Sequence, residues 1–202
     1  MQHDGYNEFR QRGRFDFPIE FHHVDCHHPR FYMPYHWHME YEIDLVVRGT
    51  LTLSLNETQI HAQAGDIIFI RDGVVHGGRP ETSDTIYGCI VFDMKKMLAG
   101  SHSFQDQIDD ILKHITLISK HIPSNTPDIP KIMQYLFRSM AEEYPGYELV
   151  VTGLLYSFLG LVRRHGLYHQ ADPLALREHK RKRITQLKQS FNLNDSYFPQ
   201  PL

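Results

Sequence analysis

His36-Trp37-His38-Met39-Glu40-Tyr41-Glu42, followed at a distance by Gly49, is the stretch on which the reading of this chain turns. Side chains two apart on a strand project to the same side. His36 and His38 therefore face one way, and Glu42 shares their parity. Trp37 should point the opposite way, into a core or an interface. A second block runs from Gly65 through Arg71 and Gly73 to His76, and a hairpin return would bring His76 alongside the first three. Three imidazoles and one carboxylate converging in a barrel mouth suit a divalent transition metal such as Zn, Ni, Mn or Fe. The residues leave three uses open: a metal site, a hydrogen-bonded polar quartet kept as architecture, or polar partners for a small effector. The cofactor is thus either none or one such metal.

Working outward, the pattern on both sides of this stretch is strands and turns. Tyr41 to Val47 is rich in β-formers. Leu51, Leu53 and Leu55 alternate with Thr50, Thr52 and Ser54, the period of a strand with one buried face. Asn56-Glu57 is a tight turn, Thr58 to Gln63 returns, and Ala64-Gly65-Asp66 and Arg71-Asp72-Gly73 flank the apolar run Ile67 to Ile70. Thr85 to Phe92 is a further apolar strand. Short strands and Gly/Asp turns at this spacing predict an antiparallel sandwich or barrel. After Asp93 the period changes. Ile108, Ile111, Leu112, Ile115 and Ile118 predict a helix over Gln105 to Lys120; Met133, Leu136, Phe137 and Met140 predict one over Ile132 to Tyr144. Tyr147 to His165 reads as a strongly apolar third helix. Ile184, Leu187 and Phe191 mark a short amphipathic helix near the end.

Composition bounds the class. With 202 residues, 41% hydrophobic and 22% charged, the chain can bury a real core. Its net charge of -3 excludes a chain that is basic throughout. Basic residues concentrate instead in Arg177, Lys180, Arg181, Lys182, Arg183 and Lys188, with Glu178 the acid among them. Cys26 and Cys89 lie in no paired spacing, the N-terminus is polar, and no apolar run reaches membrane-spanning length. These features predict a cytoplasmic protein with no membrane partner. No Gly-x-Ser-x-Gly, no cysteine with an evident base and no phosphate-cradling loop is present.

The two blocks resemble the two-motif signature of the cupin superfamily. The His-x-His, Glu and Gly of its first motif fall on His36, His38, Glu42 and Gly49; the Gly, Gly and His of its second fall on Gly65, Gly73 and His76. Arg30, Arg71 and Pro80 stand where that family carries glycine, proline and asparagine. The stretch from His36 to Gly78 further resembles the N-terminal domain of AraC-type transcription regulators. The resemblance implies a cupin double-stranded β-helix barrel followed by C-terminal α-helices. It divides the chain into an arm (residues 1–18), a sensor barrel (19–93), a helical dimerisation region (94–170), and a linker with the opening helix of a DNA-binding domain that lies beyond this chain (171–202).

On this reading the chain senses a small polar effector, a sugar among the candidates, in its barrel and forms a homodimer. The arm is a candidate lid. Glu40, Arg48, Arg71 and Tyr87 join His36, His38, Glu42 and His76 as candidate ligand contacts. Leu154, Leu155, Phe158, Leu159 and Val162 are the candidate dimer residues, because the third helix is apolar over more of its circumference than one partner needs. The alternative is a metal-dependent cupin enzyme, an isomerase or dioxygenase, using the 3-His/1-Glu site. The helical tail speaks against that alternative. His22, His23, His27 and His28 read either as a surface metal site or as an ordinary polar strand edge.

Overall fold

The computed structural model describes residues 5–98, 100, 103–174, 176–177, 181 and 184–185. In chain order the strands and helices are β1 (Tyr6–Asn7), β2 (Ile19–Val24), β3 (Met33–Trp37), β4 (Tyr41–Arg48), β5 (Thr50–Leu55), β6 (Thr58–Gln63), β7 (Ile67–Ile70), β8 (His76–Pro80), β9 (Ile86–Phe92), α1 (Met94–Leu98), α2 (Gln105–Leu112), β10 (Thr116–Ile118), β11 (His121–Ile122), α3 (Ile129–Glu142), α4 (Tyr147–Arg164) and β12 (Tyr168–Gln170). The strands make two five-stranded sheets, ordered β1-β3-β8-β5-β6 and β11-β7-β4-β9-β2, and a small β10-β12 ribbon. The pairings are antiparallel except that of β1 with β3. This is the expected cupin double-stranded β-helix with helices after it; its sheets form two hydrogen-bonded sets rather than one closed ring.

Strand β4 divides the molecule. Tyr41, Ile43 and Leu45 join Phe158, Leu155, Val151, Leu136 and Met133 in the core between the second sheet and the helices. Val46, on the other parity, joins Leu51, Leu53, Leu55, Ile68 and Ile70 in the core between the sheets. The period-2 alternation of side chains produces this division directly. β7 is buried on both faces, which explains why Ile67 to Ile70 is apolar without alternation.

Two turns fix the register of the motif residues. Gly49, between β4 and β5, has φ +75°, and a Cβ there would lie 2.6 Å from the Thr85 Oγ1. Both its backbone and its neighbour demand glycine. Gly73 has φ +71°, and its N–H donates to the His38 carbonyl at 2.8 Å, which ties the two motif blocks together.

The helix predicted over Gln105 to Lys120 stops at Leu112 instead. His114 takes a left-handed φ of +59°, and Thr116–Ile118 pairs with β12 as a strand. The apolar positions that read as one helical stripe thus belong to α2 and to the segment after it, where the β-branched Thr116 and Ile118 follow their strand preference. The other two helices lie within a few residues of their expected bounds. Leu187 and Phe191 of the short helix expected near the end, and most of residues 171–202, fall outside the described residues; Ile184 is described and is exposed.

Candidate functional site

The four motif side chains meet at one end of the space between the sheets. His36 is near the end of β3, His38 just beyond it, Glu42 at the start of β4 and His76 at the start of β8. In the register, His36 is paired with His76. All four are buried, and a ligand atom from each lies within 4.8 Å of the others. Glu42 Oε2 is 2.8 Å from His38 Nε2 and 3.2 Å from His76 Nε2.

The outer ring nitrogens are held by the backbone. His36 Nδ1 is 2.9 Å from the Pro34 carbonyl, His38 Nδ1 3.0 Å from that of Glu40, and His76 Nδ1 2.9 Å from that of Val74. A carbonyl can only accept, so each Nδ1 carries the hydrogen. In a neutral ring Nε2 then presents a lone pair. Two such lone pairs facing one carboxylate oxygen would repel it, so positive charge must sit among them, as protons or as a cation. His76 Nε2, although close to Glu42, is buried without an aligned hydrogen-bond partner. Backbone-anchored imidazoles whose inner nitrogens converge on a carboxylate are the arrangement that orients metal ligands. The donor set fits a divalent transition metal; His36, His38, Glu42 and His76 would hold it.

The electrostatics agree with a site poised for a cation. Burial and the neighbouring His76 push His36 down to about 4. Burial works against charge on His76 too, but the Glu42 carboxylate outweighs it and raises that imidazole. Burial would raise Glu42, yet His76 and His38 together hold it well below the usual carboxylate range. Directly behind it, burial and the Glu42 charge push Asp44 well up, and the same causes raise the Cys89 thiol.

The arm covers this end. β1 pairs with β3 so that Tyr6 lies beside His36, and their rings stack at 5.7 Å. Glu8 Oε2 is 3.9 Å from His36 Nε2. Glu8 is buried and bonded to Arg12 at 2.7 Å and to Arg30. Burial opposes its charge, but the Arg30 and Arg12 hydrogen bonds win and hold it at about 2. A cavity of about 20 Å³ remains beneath, lined among others by Glu8, Arg12, His36, Glu42, Tyr87 and Cys89. That volume holds one water-sized object.

The other sequence candidates divide. Glu40 is close, with Oε2 3.7 Å from His38 Nδ1. Tyr87 lines the cavity and donates its hydroxyl to the Arg30 carbonyl at 3.0 Å. Arg48 is not part of the site: it is exposed and donates to the Asp84 carbonyl. Arg71 lines a different cavity of about 220 Å³, with Tyr41, His114 and Lys120, against the helical layer. Trp37 is buried, as its parity predicts. Among the described residues, His22, His23, His27 and His28 form no metal-ligating group.

The dimer candidates need correction. Leu155, Phe158, Leu159 and Val162 are buried in the chain's own core, and Leu154 packs at its edge. The apolar stripe of α4 is consumed by the barrel and by α3. Sequence reasoning also missed Glu8, Arg12, Asp44 and Cys89. Asp44 shares the parity of Glu42 and pairs in register with Cys89, a signal that was available. The arm was expected as a lid, but which of its residues would meet His36 was not read.

The profile of the AraC-like ligand binding domain family matches residues 19–159. The chain belongs to the AraC-like ligand-binding domain family. It is 37% identical over 60 residues to the uncharacterized HTH-type transcriptional regulator YdeC of Bacillus subtilis; the match covers 29% of this chain and 21% of that protein, so only about a fifth of the relative is spanned. Among solved structures, a cupin-2 domain containing protein from Shewanella frigidimarina matches at 22% identity over 41% of this chain and 82% of its own, TM-score 0.31. An RmlC-like cupin family protein from Methanocaldococcus jannaschii matches at 19% over 37% and 69%, TM-score 0.32. Bacillus subtilis oxalate decarboxylase matches at 19% over 36% and 19%, TM-score 0.29. Matches this partial bear on neither substrate nor cofactor. No helix among the described residues is long and apolar enough to cross a membrane.

Proposed function

We propose that this chain is the effector-binding and dimerisation part of an AraC-type regulator that works in the cytoplasm and reaches DNA through a C-terminal domain beyond these residues. The signal is received at the His36, His38, Glu42 and His76 end of the β-helix. The observation that carries this is the contact of the arm with that end: Tyr6 and Glu8 lie against His36, and Arg12 is sealed beneath them. Whatever binds the quartet must act on the arm, and a ligand alters a regulator only through unequal affinity for its two states.

The quartet holds one divalent transition metal, Zn, Ni, Mn or Fe. A cavity of about 20 Å³ accommodates an ion or a water under the closed arm. A sugar or other small polar effector enters only when the arm lifts. Family membership supports a sensor over the cupin isomerase or dioxygenase that the same quartet could serve.

The dimer face is the outer side of α4. Leu149 is 81% exposed, and Gly153 and Gly160 on the same side have open space where a Cβ would be, so a partner helix can approach closely. Leu154, half-buried, borders this strip. Leu149→Lys should convert the dimer to monomer in sedimentation; an unchanged sedimentation coefficient would place the interface elsewhere. The metal reading is tested by elemental analysis of protein purified without a metal-affinity tag. We expect bound transition metal, with an equivalent lost in His36→Ala/His76→Ala. Equal content in both proteins would contradict it.

A further inference from the structure

Behind the quartet lies a second group of donors that shares only Glu42 with it. Glu42, Asp44 and Cys89 are all buried, and a ligand atom from each lies within 4.8 Å of the others. Glu42 presents a different oxygen to each side. Its Oε2 faces His38 and His76 at 2.8 and 3.2 Å, while its Oε1 accepts from the Cys89 Sγ at 3.0 Å. Asp44 is fully buried, and neither of its carboxylate oxygens makes an aligned hydrogen bond; its electrostatic neighbours are Glu42 and Cys89, the other two members of the group. Two such acceptor atoms in the interior cost several kcal/mol as a class and call for an explanation such as an ion. β4 and β9 hold the group rigidly, since Asp44 and Cys89 are directly paired in the register. The small cavity under the arm touches both Glu42 and Cys89, which leaves room on the open side of the group.

We propose that Glu42, Asp44 and Cys89 form a second metal site, taking a thiophilic divalent cation, with Glu42 bridging it to the cation of the histidine set. Two carboxylates and a thiolate supply three negative charges, enough to offset most of two dications in a buried pair of sites. The thiolate selects a softer ion than an all-oxygen set would, and deprotonation of the ligands accompanies binding. The inference rests on the reading of the histidine quartet as a metal site, because Glu42 is shared.

The test strips the full chain with chelator, reloads it with Co(II), and measures stoichiometry by elemental analysis together with the near-ultraviolet absorption of a cobalt–thiolate bond. Wild type should bind two equivalents and show the thiolate band. Cys89→Ser should bind one equivalent and lose the band, while its visible cobalt bands persist. The near-isosteric Asp44→Asn is the second variant and should also fall from two equivalents to one; circular dichroism establishes that each variant is folded. One equivalent in wild type with no thiolate band, or two equivalents retained in both variants, overturns the second site and leaves the histidine site standing. No bound cobalt in wild type overturns both.

Discussion

The two faces of β4 were built to different rules. Outward, Tyr41, Ile43 and Leu45 pack in the apolar core shared with the helices, and the one hydroxyl among them, that of Tyr41, donates to the Ile111 carbonyl at 3.3 Å. Inward, Glu42 and Asp44 are as deeply buried as Ile43, yet they meet imidazoles, a thiol and each other. Burying apolar surface stabilises the chain and is tolerant of what fills it, so long as volume is kept. Burying charge costs free energy unless every group is matched. The proposed binding role of the inner face would account for residues that cost free energy lying one position from residues that stabilise.

The largest expected effect should come from the outward face. Phe158→Ala, removing a fully buried ring from the helix–sheet core, should cost about 3–5 kcal/mol in denaturant unfolding. Metal content of the folded fraction should not change. If metal were lost as well, the two faces would not be independent.

The inner face should reveal itself by pH. His36 is held at about 4 against 6.5 unfolded. Its neutral form is favoured in the fold, so its contribution is present above pH 6.5 and lost as pH falls from 6.5 to 4. For metal-free protein this amounts to roughly 3 kcal/mol. His36→Gln, which cannot titrate, should unfold with a visibly flatter dependence across that window. Identical slopes would show that His36 is solvated.

A smaller effect should appear in the arm. Arg12→Met removes the 2.7 Å bond to Glu8 but leaves Arg30 and Arg10 beside that carboxylate. We expect a local loss of about 1–3 kcal/mol, read as faster hydrogen exchange over residues 6–12 with the unfolding midpoint of the barrel nearly unchanged. A matching drop in global stability would make the arm part of the core rather than a lid. Smallest of all, Arg48→Ala should change stability by no more than about 0.5 kcal/mol and leave metal binding alone, since that side chain is exposed at the far end of β4.

How much of this was legible in the sequence follows the same division. The His36, His38, Glu42 and His76 spacing carried the fold and the quartet through the match to the two motifs; parity holds within a strand, and His38 lies beyond β3 while Glu42 begins β4. Parity reached Asp44 as well, but a lone buried carboxylate suggests nothing until Cys89 is seen opposite it, and that pairing depends on the β4–β9 register. Helix α4 was read correctly as over-apolar, but which stripe faces inward is set by α3 and the barrel together. Leu155, Phe158, Leu159 and Val162 therefore went to the core, and Leu149 was left outside. The arm was read as a candidate lid, but its contact residues were not legible, for a simpler reason. Tyr6, Glu8 and Arg12 acquire meaning only from what lies across from them, and no local pattern encodes the parallel pairing of β1 with β3. Arg71 was misplaced because a position in a motif does not say which side of the sheet a long side chain takes.

The central claim is that binding at the inner face acts on the arm, and hydrogen exchange across Tyr6 to Arg12 tests it most directly. The comparison is between chelator-stripped and zinc-loaded protein, in wild type and in His36→Ala/His76→Ala. A dication beside His36 attracts Glu8, so the Glu8 amide, bonded to the Trp37 carbonyl at 2.9 Å, should become more protected on loading in wild type and stay unchanged in the double variant. Arm exchange that is the same with and without bound zinc in wild type would contradict the account.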